Sequence, residues 1–271
     1  MENARSILRA LAFVTTLSGC NGSDNAAGSA DGAAGPTDGA AAPPVGCEAE
    51  AADASAYKPT IDPANYVATV DNKFFPLVPG TDFQTIDADG NVSDFTVTNE
   101  TKVILGVTCI VVHDVSKTKT GDLIEDTHDW FAQDKDGNVW YFGEDTAEYT
   151  NGKVSSTAGS WTAGVNCARP GIIMEASPKV GDNYREEYYK NEAEDEAKVL
   201  SLTEHVEVPY APSGAGPGTF DNCLETENFT KLEPGNVEHK WYCAGIGQTL
   251  AEEVVMVGTG KKEQLVAITK M

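Results

Sequence analysis

Turn dipeptides divide residues 57–271 into short segments that suit β-strands. The dipeptides are Asp89-Gly90, Asp136-Gly137, Asn151-Gly152 and Pro234-Gly235. Apolar and polar residues alternate between them, and β-branched residues dominate residues 96–112 and 254–268. β-Branched side chains favour the pleated surface of a sheet, and Asp-Gly or Asn-Gly between alternating segments favours a hairpin. We therefore predict an all-β domain, an antiparallel meander that forms a single curved sheet or half-barrel.

One segment of this domain has a composition typical of a helix. Residues 191–202 (NEAEDEAKVLSL) begin with charged residues and end with apolar ones. Tyr188 and Tyr189 before the segment, and Val206 and Val208 after it, suit strands instead. We favour two strands around an acidic turn and keep one short helix as the alternative.

The first residues are similar to the leader of a bacterial lipoprotein. Arg5 and Arg9 precede an apolar run (residues 10–17) that is too short to span a bilayer. Two small residues then precede Cys20. This order resembles a lipobox, which implies cleavage of the signal peptide (residues 1–19) and acylation of Cys20. Several acyl chains hold firmly, because each buried methylene adds about 0.8 kcal/mol. The prediction is a membrane attachment through lipid alone.

The segment after Cys20 predicts a tether. Residues 21–56 contain no aromatic residue, no lysine and no arginine. So few apolar side chains cannot offset the entropy that ordering would cost. We predict that residues 20–56 form a disordered, acidic, Ala/Gly-rich tether and that residues 57–271 form the folded domain.

The net charge argues against two classes of partner. The chain has 19 Lys+Arg against 42 Asp+Glu, a formal charge of −23. Such a surface repels nucleic acid and anionic lipid headgroups, so neither is an expected partner. The negative charge favours solubility and the binding of cations or of a cationic partner. A solvated acidic surface is the simplest explanation of the charge.

Six cysteines bound the disulfide framework. With Cys20 acylated, five remain, so two disulfides and one odd thiol are the most that can form, and export permits them. Cys47 lies in the predicted tether and is the candidate for the odd thiol.

The disulfide candidates in the domain are Cys109, Cys167, Cys223 and Cys243. A turn centred on Pro234-Gly235 places Cys223 opposite Ile246, too far from Cys243 for a bridge without a bulge. Pairing of Cys109 with Cys223, and of Cys167 with Cys243, is therefore equally admissible.

Two D-x-D-G-N segments raise the question of calcium. Asp134, Asp136 and Asn138 offer oxygen at every second residue, as do residues 87, 89 and 91 of the first segment. An EF-hand, however, needs its glycine at position six between helices, and here glycine falls at position four between predicted strands. Hairpin turns explain both segments better, and calcium stays a secondary candidate.

Histidines offer a second route to a metal. In a strand, Asp126 and His128 point to the same face, and His239 follows Glu238. Strands of a meander could gather His128, His239 and a carboxylate into a zinc or copper site. No H-x-H or H-E-x-x-H pair requires such a site, and no G-x-S-x-G, S-x-x-K or G-x-G-x-x-G motif supports catalysis or nucleotide binding.

Aromatic residues cluster in the hairpin around Asp136-Gly137. With that dipeptide at the turn centre, Phe131 faces Phe142 across the strands, and both faces of the hairpin carry aromatic side chains. Core packing is the simpler explanation. The functional interpretation is that Trp130, Trp140 and Phe142 line an apolar cavity under a curved sheet.

Four further landmarks resemble one family of sequences. They are residues 74–81 (FFPLVPGT), 132–145 (AQDKDGNVWYFGED), 170–174 (PGIIM) and 241–247 (WYCAGIG). Together they resemble uncharacterised exported bacterial lipoproteins whose domains open with PL-x-PGT and close with a YYAPGVG-like run. The resemblance implies a curved antiparallel sheet of half-barrel type and no known activity. Cys243 stands where that family has a different residue, which suggests a disulfide peculiar to this chain.

These observations favour a non-catalytic, lipid-anchored protein outside the cytoplasm that binds an apolar small molecule or a protein partner. Asn21 after the acylated cysteine favours the outer membrane if the host has two membranes. The alternatives are a metal-dependent enzyme that uses the strand histidines and carboxylates, and a calcium-stabilised surface module. No cofactor is expected apart from calcium in that last case.

Overall fold

The computed structural model describes Cys47 and residues 57–214, 216–255 and 260–270. The strands in these ranges are β1 (Tyr66–Val67), β2 (Val70–Asp71), β3 (Pro76–Leu77), β4 (Thr81–Asp87), β5 (Val92–Ile104), β6 (Val107–Lys117), β7 (Leu123–Asp134), β8 (Val139–Thr150), β9 (Lys153–Ser156), β10 (Trp161–Thr162), β11 (Arg169–Met174), β12 (Asn183–Arg185), β13 (Glu187–Tyr188), β14 (Asp195–Val208), β15 (Gly218–Thr230), β16 (Val237–Cys243), β17 (Gly247–Glu253) and β18 (Lys262–Lys270). A 3₁₀ turn (Pro63–Asn65) precedes β1. Within the described ranges, the chain forms no helix with the length and apolar character of a membrane span.

Two antiparallel meanders build the main sheet. Each strand from β4 to β8 pairs with the next, and so does each strand from β14 to β18. Strand β18 pairs with β4 and joins the two meanders into one sheet. Short turns suffice for such antiparallel neighbours, which is why turn dipeptides predict the topology. The all-β prediction is confirmed.

A short segment, residues 183–188, brings the two edges of the sheet together. Its first part, β12, pairs with β14, and its second part, β13, pairs with β11. Gly171 on β11 permits this approach, because a Cβ there would lie 2.3 Å from backbone atoms of Glu186. The sheet is therefore nearly closed and barrel-like, and its interior receives side chains from both meanders.

Residues 191–202 form strand rather than helix. Tyr189 and Ala193 make an isolated bridge around a tight acidic turn, and β14 begins at Asp195. Burial alternates at the start of β14, with Asp195, Ala197 and Val199 inside. That period of two suits a strand, so the favoured interpretation is confirmed, although the turn is shorter than predicted.

Both D-x-D-G-N segments form the same hairpin turn, but it is not the two-residue type I′ turn that Asp-Gly usually indicates. Gly90 and Gly137 have positive φ, of 85° and 97°, whereas Asp89 and Asp136 before them do not. Type I′ needs positive φ at both residues, so each hairpin has a longer loop closed by a glycine bulge.

The extra loop residue shifts the strand register by one, so Phe131 faces Tyr141 rather than Phe142. The predicted pairing across this hairpin was therefore wrong. Residues on both of its faces are buried, as the aromatic pattern predicted.

The disulfides also differ from the prediction. Cys223 is bonded to Cys243 and Cys47 to Cys167, while Cys109 is a buried free thiol. The assignment of Cys47 as the odd thiol was wrong, and so were the pairings of Cys109 with Cys223 and of Cys167 with Cys243. Cys47, only 2% exposed, lies against the domain although sequence places it in the tether.

Loop length explains the Cys223–Cys243 bridge. Phe229 near the end of β15 pairs with Val237 at the start of β16, so the hairpin is centred on residue 233 rather than on the Pro234-Gly235 dipeptide. The same register continues along the ladder and places Cys223 opposite Cys243. Their Cα atoms are 4.4 Å apart, the spacing of a directly opposed pair without backbone hydrogen bonds.

A short ribbon packs against the interior of the sheet, and we call it the plug (residues 70–77). Its strands β2 and β3 pair only with each other in the described ranges. Asn72 holds it in place: the side-chain Nδ2 donates to the carbonyl oxygens of Gly137 (2.9 Å) and Glu175 (3.1 Å). Its Oδ1 accepts the N–H groups of Phe74 and Phe75 and fixes their direction.

The plug completes an aromatic cluster in the core. The Phe75 ring lies 5.4 Å from the Phe131 ring and 6.5 Å from the Phe95 ring, and Phe131 stacks on Tyr141 at 4.9 Å. Edge and offset contacts of this kind stabilise beyond their buried area. We call Phe75, Phe95, Phe131 and Tyr141 the aromatic cluster.

Candidate functional site

A pocket lies between the plug and the interior wall of the sheet. Its cavity volume is about 50 Å³. Its lining is mainly apolar and comes from the plug, from β4 and β5, and from the β16–β17 hairpin. The main apolar lining residues are Phe75, Leu77, Phe83, Phe95, Tyr242 and Ile246. A concave apolar site of this kind suits the apolar part of a small molecule.

Three polar side chains also reach the pocket. The Thr85 hydroxyl already donates to Glu263 Oε1 at 2.6 Å, and Lys240 Nζ lies 3.3 Å from Glu238 Oε2. The Gln248 amide Nε2 is buried and has no hydrogen-bond partner among the described residues. A buried donor without a partner costs roughly 1–3 kcal/mol. Gln248 is therefore the donor that a bound molecule could satisfy.

Lys240 separates this pocket from a group of buried carboxyls, which we call the acid cluster. The cluster consists of Glu186, Glu187, Asp195 and Glu238, all buried. Residues 186 and 187 belong to the segment that closes the sheet, and the other two lie on β14 and β16. Lys240 is the one buried lysine or arginine in the part of the chain that the structure describes.

Burial raises the pKa of every carboxyl in the acid cluster, because a dry interior disfavours the charged form. The pKa rises to about 8 for Glu186, about 7 for Glu238 and about 6 for Asp195, with the positive charge of Lys240 opposing each rise. The pKa of Glu187 rises well above its ordinary range, since the charges of Asp195 and Glu186 add to burial.

Burial lowers the pKa of Lys240, but the surrounding carboxyls raise it by more, so its ammonium stays charged. The acid cluster therefore retains protons near neutral pH around a single cation. Hydrogen bonds complete it, since Asn228 Nδ2 donates to Glu186 Oε2 at 2.8 Å and Trp161 Nε1 donates to Glu187 Oε2 at 2.9 Å.

The aromatic residues predicted to bind a ligand belong to the core instead. Trp130 is 4% exposed, and its ring is covered by Lys102 Nζ at 3.2 Å. Phe142 is fully buried against Tyr66, and Trp140 Nε1 donates to Asp134 Oδ2 at 2.8 Å. None of the three predicted residues lines the pocket, because it opens beside β4, β5 and the plug rather than beside the β7–β8 turn.

The second D-x-D-G-N segment uses its carboxylate within the turn. Asp134 Oδ1 accepts the Asn138 N–H, and Oδ2 accepts both Asn138 Nδ2 and Trp140 Nε1. The first segment repeats this pattern between Asp87 and Asn91. The predicted calcium ligands Asp134, Asp136 and Asn138 thus form a hairpin turn, and Asp134 directs both of its oxygens to donors of that hairpin.

The two predicted metal-binding histidines lie far apart in the sheet. His128 is on β7 and His239 on β16, and five strands lie between these two in the strand order. His239 contacts Glu225 through Nδ1 at 2.9 Å. His128 lies instead beside His113 and Asp126. A joint site of His128 and His239 was therefore a wrong prediction.

Sequence reasoning missed the residues that shape the pocket. Phe75 lies in the FFPLVPGT landmark, and Tyr242 lies in the WYCAGIG landmark, yet neither was assigned to a ligand. One available signal was the period-two pattern of β16, which places Glu238, Lys240 and Tyr242 on one face of the strand. An alternating strand with a lysine on its buried face indicates a charged group inside.

Two solved structures are similar to this chain. A candidate exported protein with a YmcC-like fold from Bacteroides fragilis covers 73% of this chain and 100% of its own, at 18% identity and a TM-score of 0.43. A candidate lipoprotein from Parabacteroides distasonis covers 73% of this chain and 99% of its own, at 14% identity and a TM-score of 0.38. No protein-family model matches the sequence, and neither does any curated protein. The functional argument therefore rests on the residues of this chain.

Proposed function

We propose that this protein is a non-catalytic, extracytoplasmic binding protein that holds a small apolar molecule in the pocket between the plug and the sheet. The observation that carries the proposal is Gln248, which lines an apolar pocket and whose buried Nε2 has no hydrogen-bond partner among the described residues. An apolar wall with one directed donor binds a molecule that has an apolar part and one acceptor.

The charge around Lys240 specifies the acceptor further. The Lys240 ammonium already faces Glu238 at 3.3 Å, and other carboxyls of the acid cluster surround it. A ligand carboxylate at this wall would meet those acids, so a neutral acceptor such as an ester or amide carbonyl fits better. With about 50 Å³ available, the inserted part is a short acyl or aryl group.

The cysteines support an extracytoplasmic location. Disulfides persist in oxidising compartments and are rare in the cytosol, and the structure pairs Cys47 with Cys167 and Cys223 with Cys243. We include acylation of Cys20 in the proposal, so the domain would be attached to a membrane by lipid, in the outer membrane of a two-membrane host.

Binding is tested with the neutral fluorophore N-phenyl-1-naphthylamine, whose phenyl ring is the part that would enter the pocket, and with its displacement by octane, methyl octanoate and octanoate. The wild type is expected to bind the fluorophore and to prefer methyl octanoate over both competitors. Gln248→Leu keeps the volume of the side chain and removes its donor. This variant should still bind the fluorophore but lose the preference for the ester over the alkane.

Gln264→Leu is the matched control, because Gln264 lies on β18 and does not line the pocket. It should behave as the wild type. A wild type that does not bind the fluorophore, or a Gln248→Leu variant with an unchanged ester preference, would contradict the proposal.

A further inference from the structure

Two histidines and a carboxylate converge on the outer face of the sheet. His113 on β6 and His128 on β7 are direct cross-strand partners, and Asp126 lies two residues before His128 on the same face. All three side chains are partly exposed, at 36%, 45% and 34%. Their position outside the sheet makes the group independent of the pocket.

The three ligand atoms already lie close together. His113 Nε2 is 2.8 Å from Asp126 Oδ1, and His128 Nδ1 is 3.9 Å from the same oxygen. One ligand atom from each residue can be chosen so that all three lie within 4.8 Å of one another. A tetrahedral ion with ligand bonds of about 2.0–2.2 Å needs ligand atoms about 3.4 Å apart. Small side-chain rotations reach that spacing.

The two imidazole rings lie stacked and nearly parallel, so both must tilt for their nitrogens to share one ion. Their centroids are 4.3 Å apart, with an angle of 16° between the ring planes. The pair is fixed on two adjacent long strands, β6 and β7, so binding an ion needs little ordering of the backbone. Asp145, directly opposite His128 on β8, lies in the same cross-strand row and is the candidate for a fourth ligand.

We propose that His113, His128 and Asp126 bind a divalent transition-metal ion, Zn²⁺ in particular. Two imidazole nitrogens and one carboxylate oxygen suit Zn²⁺, Ni²⁺ or Cu²⁺, whereas Ca²⁺ and Mg²⁺ prefer oxygen ligands only. The formal charge of −23 attracts cations to the surface. The site completes the fourth position with water or Asp145.

Other histidines in the described ranges provide an internal standard. His205 Nδ1 contacts Asp221 at 2.7 Å on the exposed surface, a histidine–carboxylate pair without a second histidine. His239 directs its two ring nitrogens to two different glutamates, Nδ1 to Glu225 and Nε2 to Glu227. These contacts lie on opposite sides of the ring, so the two glutamates and one nitrogen of His239 do not converge on a single ion. The His113 group differs from both pairs by its second imidazole.

Zinc affinity of the full chain, stripped with chelator, is measured by competition with a chromogenic zinc indicator. The wild type is expected to bind one Zn²⁺ that His113→Asn and His128→Asn each weaken by at least about tenfold. His205→Asn should leave the affinity for this ion unchanged. Zinc bound at any other site contributes equally in the wild type and the three variants, so it does not affect the comparison. Thermal melting of the metal-free proteins checks that each variant folds.

The visible absorption of bound Co²⁺ provides a second readout. A purely structural role of the histidines would not produce this absorption. The wild type should show visible absorption of a four-coordinate cobalt site with nitrogen ligands, and His128→Asn should not. Equal zinc affinity of the wild type and His128→Asn, or equal losses in His128→Asn and His205→Asn, would mean that the group is only a stacked histidine pair with a hydrogen bond from His113 to Asp126. That result overturns the proposal.

Discussion

The interior of the sheet contains two neighbouring clusters of opposite chemistry. The aromatic cluster joins the plug to β5, β7 and β8 through ring contacts and has no formal charge. The acid cluster joins the closing segment to β14 and β16 through carboxyls around Lys240. The pocket is lined by Phe75 and Phe95 of the aromatic cluster and by Lys240, the cation of the acid cluster, so it borders both clusters.

The two clusters differ in how their contribution to stability depends on pH. Aromatic packing responds to volume and shape, because the three phenylalanine rings carry no titrating proton and burial raises the pKa of Tyr141 well above its ordinary value, so its hydroxyl stays protonated. The acid cluster responds to pH, because its carboxyls are stable inside only while protonated or paired. One barrel-like interior therefore combines a pH-insensitive region with a pH-sensitive one, and single substitutions can separate them.

The largest effect is expected for Phe131→Ala. Phe131 is fully buried between Phe75 and Tyr141, so the substitution leaves a cavity and should lower the free energy of unfolding by about 3–5 kcal/mol. Urea unfolding at pH 5.5 and pH 8 should give nearly the same loss. Val103→Ala, at a position 67% exposed, is the control and should be close to neutral. A loss that differs strongly between the two pH values would remove the contrast between the clusters.

Lys240→Met should lower stability by about 3 kcal/mol at pH 8, because it leaves buried carboxyls without their cation. At pH 5.5 the same carboxyls take up protons and need the cation less, so the loss should be smaller. Urea unfolding at the two pH values measures the difference. An equal loss at both would show that Lys240 acts through packing alone.

The pH dependence of the wild type tests the acid cluster directly. The folded-state pKa of Glu186 is raised to about 8, so its contribution to stability is complete below its ordinary pKa and is lost as pH rises towards 8. We expect the free energy of unfolding to fall by on the order of 2–4 kcal/mol between pH 5 and pH 8.

Glu186→Gln should flatten this dependence, and Glu196→Gln on the outer side of β14 should not. The remaining slope comes from the other buried acids, among them Asp129, whose pKa burial raises to about 8 beside the Tyr141 hydroxyl. A wild type whose stability rises over this pH range would contradict the assignment of the acid cluster.

The smallest loss of stability is expected for substitutions in the two D-x-D-G-N turns. Asp134→Ala should cost about 2 kcal/mol, because Asp134 also accepts the Trp140 indole N–H and is buried. Asp87→Ala removes only contacts within its own turn and should cost about 1 kcal/mol. Thermal melting of both variants measures the difference, and equal losses would mean that the tertiary contact of the second turn adds nothing.

Local patterns determined much of the fold. Asp89-Gly90 and Asp136-Gly137 predicted hairpins because a glycine with positive φ is required at the turn itself. For residues 191–202 the flanking residues favoured two strands around an acidic turn over a short helix, and β14, which begins at Asp195, confirms the absence of that helix. These features depend on neighbours in sequence, so the sequence alone contains the information.

Register and long-range contacts were decided only in three dimensions. One extra loop residue moved Phe131 from Phe142 to Tyr141, and a longer loop after Thr230 brought Cys223 opposite Cys243. Loop length changes register by whole residues, and dipeptide patterns do not specify it.

The sequence by itself determined an all-β meander and its hairpins, since turn chemistry and alternation act over a few residues. The tertiary structure decided the closure of the sheet, the plug, the acid cluster and the meeting of His113 with His128. Each of these joins residues from distant strands, and Gly171 shows the reason: its missing Cβ matters only once residue 186 lies against it. Contacts between distant segments depend on the packed whole, and that is where the candidate sites lie.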